Sequence, residues 1–294
     1  MSRGNQDNLG PYRLLNLVMT GQTSQVWEVM HEAKRERFAL KMLLADFRKD
    51  REQLGYLKHE YAVGTALKHP KVIRIYEIGA DRGINFLVME YFAHPNMKVW
   101  VRRGLDAIVH HIPKIIEQAA ESLSYFNDQG WIHRDVKPEN YLVTADGDVR
   151  LIDFALAQKK RSGLMKLFGG SSKIQGTRSY MSPEQIRGDA LDQRADVYSF
   201  GCTIYELLVG KPPFAGGDSN DLLRKHLRTN APSVDASNRN VTPEFCDLVR
   251  RMLAKKPADR PDSMDKVLRE LKTTRVFRIT PRAPDSREKA ENTG

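Results

Sequence analysis

The hydrophobic period of this chain changes once, near Asn96, and few architectures accommodate such a change. Before it, apolar residues recur in short alternating or β-branched runs at residues 12–18, 25–30, 37–42, 72–79 and 85–89. That is the two-residue period of strands. One helical stretch, about residues 48–67, interrupts them. After the change, Ile112, Ile115, Ile116, Ala119, Ala120, Leu123 and Phe126 keep the three-to-four spacing of one helix face. Phe245, Leu248, Val249 and Met252 repeat it, as do Met264, Val267, Leu268 and Leu271. These stripes read as core. Two short strands, residues 141–143 and 149–152, flank a turn at Ala145-Asp146-Gly147-Asp148. The pattern predicts a small β-rich lobe followed by a larger helical one.

A chain of 294 residues is long enough for two domains or two lobes, and it can bury a core without a disulfide or a structural metal. The two cysteines, Cys202 and Cys246, form no C-x-x-C pattern. That argues against a disulfide framework and a cysteine-rich zinc site, and it suits a reducing, cytoplasmic location. No run of 18 apolar residues is present, so no membrane span is expected. Residues 1–10 are polar and lack an apolar signal core. The net charge of +10 favours anionic partners. It concentrates in residues 155–176, where Lys159, Lys160, Arg161, Lys166 and Lys173 stand without an acid, and again beyond Thr273. No nucleic-acid motif accompanies this charge, so a solvated basic surface explains it and no specific nucleic-acid partner is expected. His110 and His111 are adjacent, which on a helix points them apart and argues against a metal site.

The strongest local signal is His133-Arg134-Asp135-Val136-Lys137-Pro138-Glu139-Asn140, between a helix and a strand. Thirteen residues after Asn140 comes Asp153-Phe154-Ala155, and further on Ser182-Pro183-Glu184. Upstream lie Ala39-Leu40-Lys41 on a strand and Glu60 on the helix after it. Any one of these charges alone reads as a solvated surface group; their common order does not. In order, spacing and context the chain resembles the eukaryotic-type serine/threonine protein kinase family. Gly176-Thr177, Tyr180-Met181-Ser182-Pro183-Glu184-Gln185 and Pro257-Ala258-Asp259-Arg260-Pro261 are most similar to its bacterial branch.

The resemblance implies an α+β, bilobal protein-kinase fold: a small antiparallel β-sheet lobe with one helix, and a larger, mainly helical lobe. It places the kinase domain at residues 12–272, with the small lobe at 12–92 and the large lobe at 93–272. Residues 1–11 are expected to be a flexible N-terminal segment and residues 273–294 a basic, disordered tail. It further implies an ATP-dependent kinase that moves the γ-phosphate of Mg-ATP to Ser or Thr hydroxyls of protein substrates, itself included. Mn²⁺ is the alternative metal.

Phosphoryl transfer asks the protein mainly to align the reactants and to neutralise spreading negative charge. By resemblance, Asp135 accepts and orients the substrate hydroxyl, and Asn140 and Asp153 offer oxygen to Mg²⁺. Lys41 pairs the α- and β-phosphates and Glu60 holds its ammonium. Lys137 reaches the γ-phosphate, and Thr177 lines the acceptor site. Val18, Gly21, Val26, Ala39, Met89, Glu90, Phe92 and Leu142 surround the nucleotide: Val26 and Ala39 above the adenine, Leu142 below, Met89 behind, and the backbone of Glu90 and Phe92 along its edge. Glu184 and Arg260 form a buried structural ion pair, and Asp196 anchors the catalytic loop. Ser171 and Ser172, five or six residues before Thr177, are candidate autophosphorylation sites, with Arg134 as the partner of such a phosphate.

Three positions depart from the family pattern. The Gly-rich loop G-x-G-x-x-G-x-V falls on Met19, Gly21, Ser24 and Val26, so only the middle glycine remains and weaker ATP affinity is expected. Ala155 replaces a glycine, which is expected to hinder an outward flip of Asp153-Phe154 by denying a positive φ. Gly64, one turn after Glu60, is expected to leave that helix loosely held. The alternative to an active kinase is a nucleotide-binding pseudokinase scaffold. The retained Lys41, Glu60, Asp135, Asn140 and Asp153 weigh against it.

Overall fold

In a computed structural model of the chain, residues 8–160 and 176–283 are described. They divide into two compact units. The first comprises residues up to Ala93 together with Asp153–Ala155, and the second His94–Ile152 and residues from Leu156 onward.

The first unit is built on β1 (Asn8–Leu9), β2 (Tyr12–Thr20), β3 (Ser24–His31), β4 (Glu36–Leu43), β5 (Ile75–Asp81) and β6 (Ile84–Glu90), with helix α1 (Arg51–Gly64) between β4 and β5. The strands form one antiparallel sheet in the order β1-β2-β3-β4-β6-β5. Register sorts its side chains, because successive residues of a strand point to opposite faces. Tyr12, Val29, Leu40, Met42, Phe86 and Val88 make one apolar cluster, joined by Leu9. Residues 8–11 are therefore not the loose segment expected: β1 pairs with β2, and Leu9 is buried in the sheet's core. Val26 pairs with Lys41 and Lys41 with Leu87, while Glu28 pairs with Ala39 and Ala39 with Met89. These residues share the opposite face.

Helix α1 starts where the Asp50 carboxylate accepts the Glu52 and Gln53 amides, a side-chain cap worth about 1 kcal/mol. Gly64 does not loosen its far end. A Cβ there would overlap the Ile75 side chain, so buried Ile75 occupies the space and the glycine permits close packing of helix on strand.

The second unit contains α2 (Met97–Arg102), α3 (Ile112–Asp128), β7 (Trp131–Ile132), β8 (Tyr141–Val143), β9 (Val149–Leu151), β10 (Gln158–Lys159), α4 (Pro183–Arg187), α5 (Arg194–Val209), α6 (Ser219–Arg228), α7 (Pro243–Met252) and α8 (Met264–Leu271). The apolar stripe of α3 is buried from Ile112 to Phe126. Helix α5 is buried on all sides from Ala195 to Leu208, the mark of a central core helix. Helix α4 opens with a capping box between Ser182 and Gln185 and closes at Gly188, φ 72°.

The chain beyond α8 departs from the tail predicted from residue 273. Val276 and Phe277 are buried, the Thr242 amide donates to the Val276 carbonyl at 3.0 Å, and Phe277 bridges to Val241. Two apolar side chains amid the arginines anchor this stretch; counting charge alone hid them. Ser171 and Ser172 lie outside the described residues.

Candidate active site

In the first unit, Lys41 projects from β4 on the face shared with Val26, Ala39 and Met89. Its Nζ lies 2.7 Å from Glu60 Oε2 and 3.5 Å from Asp153 Oδ1. Burial by itself would push the Lys41 ammonium down, but Asp153 and Glu60 outweigh it and hold the pKa above the usual lysine value. Lys41 is therefore a fixed positive charge. Burial raises the Glu60 carboxyl, and the Lys41 ammonium works against that. Glu60 is 2% exposed, its carboxyl stays raised on balance, and the Lys41 ammonium is the cation in contact with it.

Asp153 adopts φ 67°, a left-handed backbone that Asp tolerates better than most residues. Its Oδ1 accepts the Ala155 amide at 3.4 Å. Ala155 is not among the residues of positive φ. The position that needs left-handed freedom is Asp153, so the alanine carries no backbone strain in this conformation.

The altered Gly-rich loop is the β2–β3 turn. The Gly21 amide donates to the Ser24 carbonyl at 2.8 Å, closing the turn on itself and occupying a donor that could otherwise face phosphate. Leu17, Val18 and Met19 are exposed. Restoring glycine at Met19 and Ser24 is expected to lower the ATP dissociation constant by about threefold, since backbone can approach phosphate more closely without side chains. Titration calorimetry with ATP measures it. The remaining nucleotide candidates of this unit are Ala39 and Met89, both buried, and half-buried Val26, Glu90 and Phe92. Leu142 sits on β8 of the second unit, half-buried.

In the second unit the turn after β7 is held from beneath. Buried Asp196 of α5 accepts the His133 amide at 2.8 Å, the Arg134 amide at 3.0 Å and the Asn127 side chain at 2.8 Å. Burial raises the Asp196 carboxyl, and these donors oppose that shift. Arg134 turns through φ 70°, and its carbonyl accepts Gln185 Nε2 at 2.8 Å. The turn is thus tied to α5 and to α4.

Asp135 stands at the centre of a closed set of hydrogen bonds. Its Oδ1 accepts the Thr177 amide at 2.9 Å and the Thr177 hydroxyl at 3.1 Å. Its Oδ2 accepts Lys137 Nζ at 2.5 Å and Asn140 Nδ2 at 3.3 Å. Lys137 Nζ also donates to Thr177 Oγ1 at 2.8 Å, and Asn140 Nδ2 to the Asp135 carbonyl at 2.7 Å. A carboxylate flanked by an ammonium and a hydroxyl can receive a proton from an alcohol placed there while the ammonium steadies an incoming anion. Gly176 is required beside it: φ is 112°, and a Cβ would come within 3.1 Å of the Arg134 carbonyl.

A divalent metal suits the donors offered. The amide nitrogen of Asn140 is used on Asp135, which leaves its oxygen to face a cation. Asp153 presents a carboxylate that is one-third exposed. No cluster of three or more His, Cys, Asp or Glu suited to a metal occurs among the described residues. Mg²⁺ does not need one, because it takes few protein ligands and completes its shell with water and substrate phosphates.

Sequence reasoning missed Asn127, which gives no motif signal, and the trio Lys98, Tyr180 and Glu206. The Tyr180 hydroxyl donates to Glu206 Oε2 at 2.5 Å, and Lys98 pairs with the same buried carboxylate. Lys98 and Glu206 lie 108 positions apart, so no local pattern joins them.

The protein kinase domain family model matches residues 12–271, and the chain belongs to that family. It is 32% identical over 251 residues to the serine/threonine-protein kinase PknH of Mycobacterium bovis, covering 85% of this chain and 42% of that protein. It is 31% identical over 253 residues to the serine/threonine-protein kinase PknB of Mycolicibacterium smegmatis, covering 85% and 40%. With PrkC of Bacillus subtilis, also a serine/threonine-protein kinase, it shares 26% identity over 264 residues, covering 90% and 40%. The chain thus spans about two fifths of the length of the curated relatives it matches. No described helix is long and apolar enough to cross a membrane.

Proposed function

We propose that this chain is a serine/threonine protein kinase that transfers the γ-phosphate of ATP to a hydroxyl of a protein. The observation that carries the reading is the hydrogen-bonded set of Asp135, Lys137, Asn140 and Thr177. In that set Thr177 Oγ1 rests on Asp135 as an acceptor hydroxyl would. Asp135 takes up the proton of the attacking hydroxyl, Lys137 faces the γ-phosphate, and Lys41 holds the α- and β-phosphates. Asn140 and Asp153 would hold Mg²⁺, which would supply charge neutralisation at the phosphates. The Lys41–Glu60 contact is formed, which favours an active kinase over a pseudokinase scaffold.

Self-phosphorylation at Ser171 or Ser172, with Arg134 receiving the phosphate, belongs to the same proposal, as does a cytoplasmic site of action. The test is transfer of labelled γ-phosphate to the chain itself and to myelin basic protein, with Mg²⁺ and then Mn²⁺. Label is expected on both acceptors, with mass spectrometry placing the autosites. Lys41→Met is expected to lower transfer by about 10²-fold or more, because it removes a buried charge aimed at the phosphates. ATP binding without label under either metal would replace this reading with the scaffold.

A further inference from the structure

The second unit holds a cavity of about 540 Å³ to which the transfer chemistry assigns no task. It lies between α7, the segment before it and the segment after it. The buried part of its lining is apolar: Val234, Cys246, Val249 and Leu253. The rest is charged. Arg250, Arg251, Lys255 and Lys256 line it against one acid, Asp259. A cavity of this size admits a large side chain or a small ligand.

The four cations differ in what they already hold. Arg250 and Arg251 share Asp247, at 2.5 and 2.9 Å, and Arg251 also pairs with Glu270. Lys255 donates to the Tyr198 hydroxyl at 3.3 Å and to the Lys225 carbonyl at 3.5 Å. Neither Lys255 nor Lys256 forms an ion pair among the described residues. Lys256 is exposed, so it stands at the mouth. With Asp247 and Glu270 counted beside Asp259, the cations still outnumber the carboxylates, and the surplus is on the lysine side. The Asp247 contact of Arg250 is an exposed pair, which in water holds an arginine only weakly.

The segment between α6 and the cavity forms the other lip. Thr229 (φ −94°, ψ 132°) and Ser233 (φ −68°, ψ 143°) bracket it with extended backbone. Asn230, Pro232 and Ser233 are exposed and line the cavity. Among the described residues, the amides of Asn230 and Ala231 and the carbonyls of Asn230, Ala231 and Pro232 make no backbone–backbone hydrogen bond. Extended backbone with open donors and acceptors is what an added strand pairs with. Side chains of such a strand alternate, so one can enter the cavity while its neighbours reach the rim.

We propose that this cavity is a docking site for an acidic, extended peptide segment of a partner protein. The peptide backbone pairs with residues 229–233. One apolar side chain enters between Val234, Val249 and Leu253, and the carboxylates meet Lys256 and Arg250. An acidic peptide fits better than a basic one because the surplus charge at the mouth is positive. It fits better than a small anion because open backbone groups flank the cavity. Docking needs no phosphate transfer, so the proposal stands or falls apart from the kinase reading.

The experiment titrates the full chain with a fluorescein-labelled peptide carrying one leucine amid glutamates, followed by fluorescence anisotropy. Saturable binding is expected. Replacing the leucine by serine is expected to weaken it about tenfold, since the apolar floor is left unfilled. Methylating the peptide nitrogens along the pairing edge is expected to weaken it about as much, because main-chain bonds carry much of the affinity of an added strand. Lys256→Glu changes an exposed side chain and should leave Tm unchanged. It is expected to weaken the glutamate peptide about tenfold and to improve binding of a lysine counterpart. Amide exchange at Asn230 and Ala231 is expected to slow when the peptide binds. No saturable binding would overturn the proposal. So would equal affinity of the wild type for the lysine peptide, or unchanged exchange at Asn230 and Ala231, which would put the peptide elsewhere. Binding of hexyl phosphate without binding of the peptide would make this a small-anion cavity. A concentration-dependent dimer abolished by Lys256→Glu and undisturbed by the peptide would give the face to a second copy. Either result replaces the peptide.

Discussion

Asp135→Asn is expected to lower kcat for transfer by about 10²- to 10⁴-fold, the range lost when a positioned general base is removed. The substitution keeps the shape of the side chain. Its oxygen can still accept the Thr177 amide, now 2.9 Å from Oδ1. What changes is the other end. Oδ2 accepts Lys137 Nζ and Asn140 Nδ2, and an amide nitrogen there would meet two donors and no acceptor. Lys137 is then released from its position and the proton of the attacking hydroxyl has no carboxylate to receive it. ATP affinity is expected to stay within about twofold, since only an interaction of the transition state is removed. Single-turnover transfer together with ATP titration separates the two. An equal loss of ATP binding would mean that Asp135 serves the ground state, and the base would have to be sought elsewhere. Circular dichroism identical to the wild type excludes unfolding as the cause.

Much of the architecture could be read from the sequence where periodicity was strong. The five strand runs, the stripe of α3 and the stripes of α7 and α8 appear where the apolar spacing put them. Shorter elements did not announce themselves. Strands β1, β7 and β10 are two residues each, and their pairing depends on what lies across from them rather than on their own pattern. Helix α6 escaped because its buried residue is a histidine amid charges, His226, and not an apolar stripe.

Within each unit, residues named from motifs come together: Lys41 with Glu60 and Asp153, and Asp135 with Lys137, Asn140 and Thr177. The motifs supplied Asp196 beneath the turn but not the contacts that complete its support. Asn127 and Gln185 hold the turn at Asp135 through contacts 69 and 51 positions apart. Motif comparison locates the alanine at 155 but not the residue that carries the positive φ in this conformation, which is Asp153.

Arg260→Ala is expected to produce the largest loss of stability. Arg260 and Glu184 are 0% and 4% exposed at their side chains. They meet through two parallel bonds of 2.6 and 2.8 Å. The guanidinium also donates to the carbonyls of Ala254 at 2.7 Å, Arg194 at 2.8 Å and Lys255 at 3.1 Å. All five donors of the fork are used, which is the condition under which a buried arginine is tolerated. Truncating it leaves Glu184 as a buried carboxylate without a cation and frees three carbonyls at once. Breaking such a pair costs about 3–5 kcal/mol, because the remaining charge keeps its desolvation penalty and loses its compensation. For a domain of this size that is a fall in Tm of about 10 °C, measurable by calorimetry. Glu184→Gln leaves the arginine with its carbonyls and should cost less.

The pairing is better tested by the double replacement with apolar residues of similar volume, Glu184→Leu with Arg260→Met. That change removes both charges together and should recover most of the loss. The consequence for activity follows from position. Glu184 precedes Gln185, whose amide holds the Arg134 carbonyl, and Arg134 precedes Asp135. A loosened α4 therefore displaces the base without touching it. Arg260→Ala should lose transfer at a temperature below that of global unfolding, while the double apolar variant keeps it. Loss of activity and of fold at one temperature in Arg260→Ala would show that the ion pair supports the unit as a whole and not the turn at Asp135 in particular.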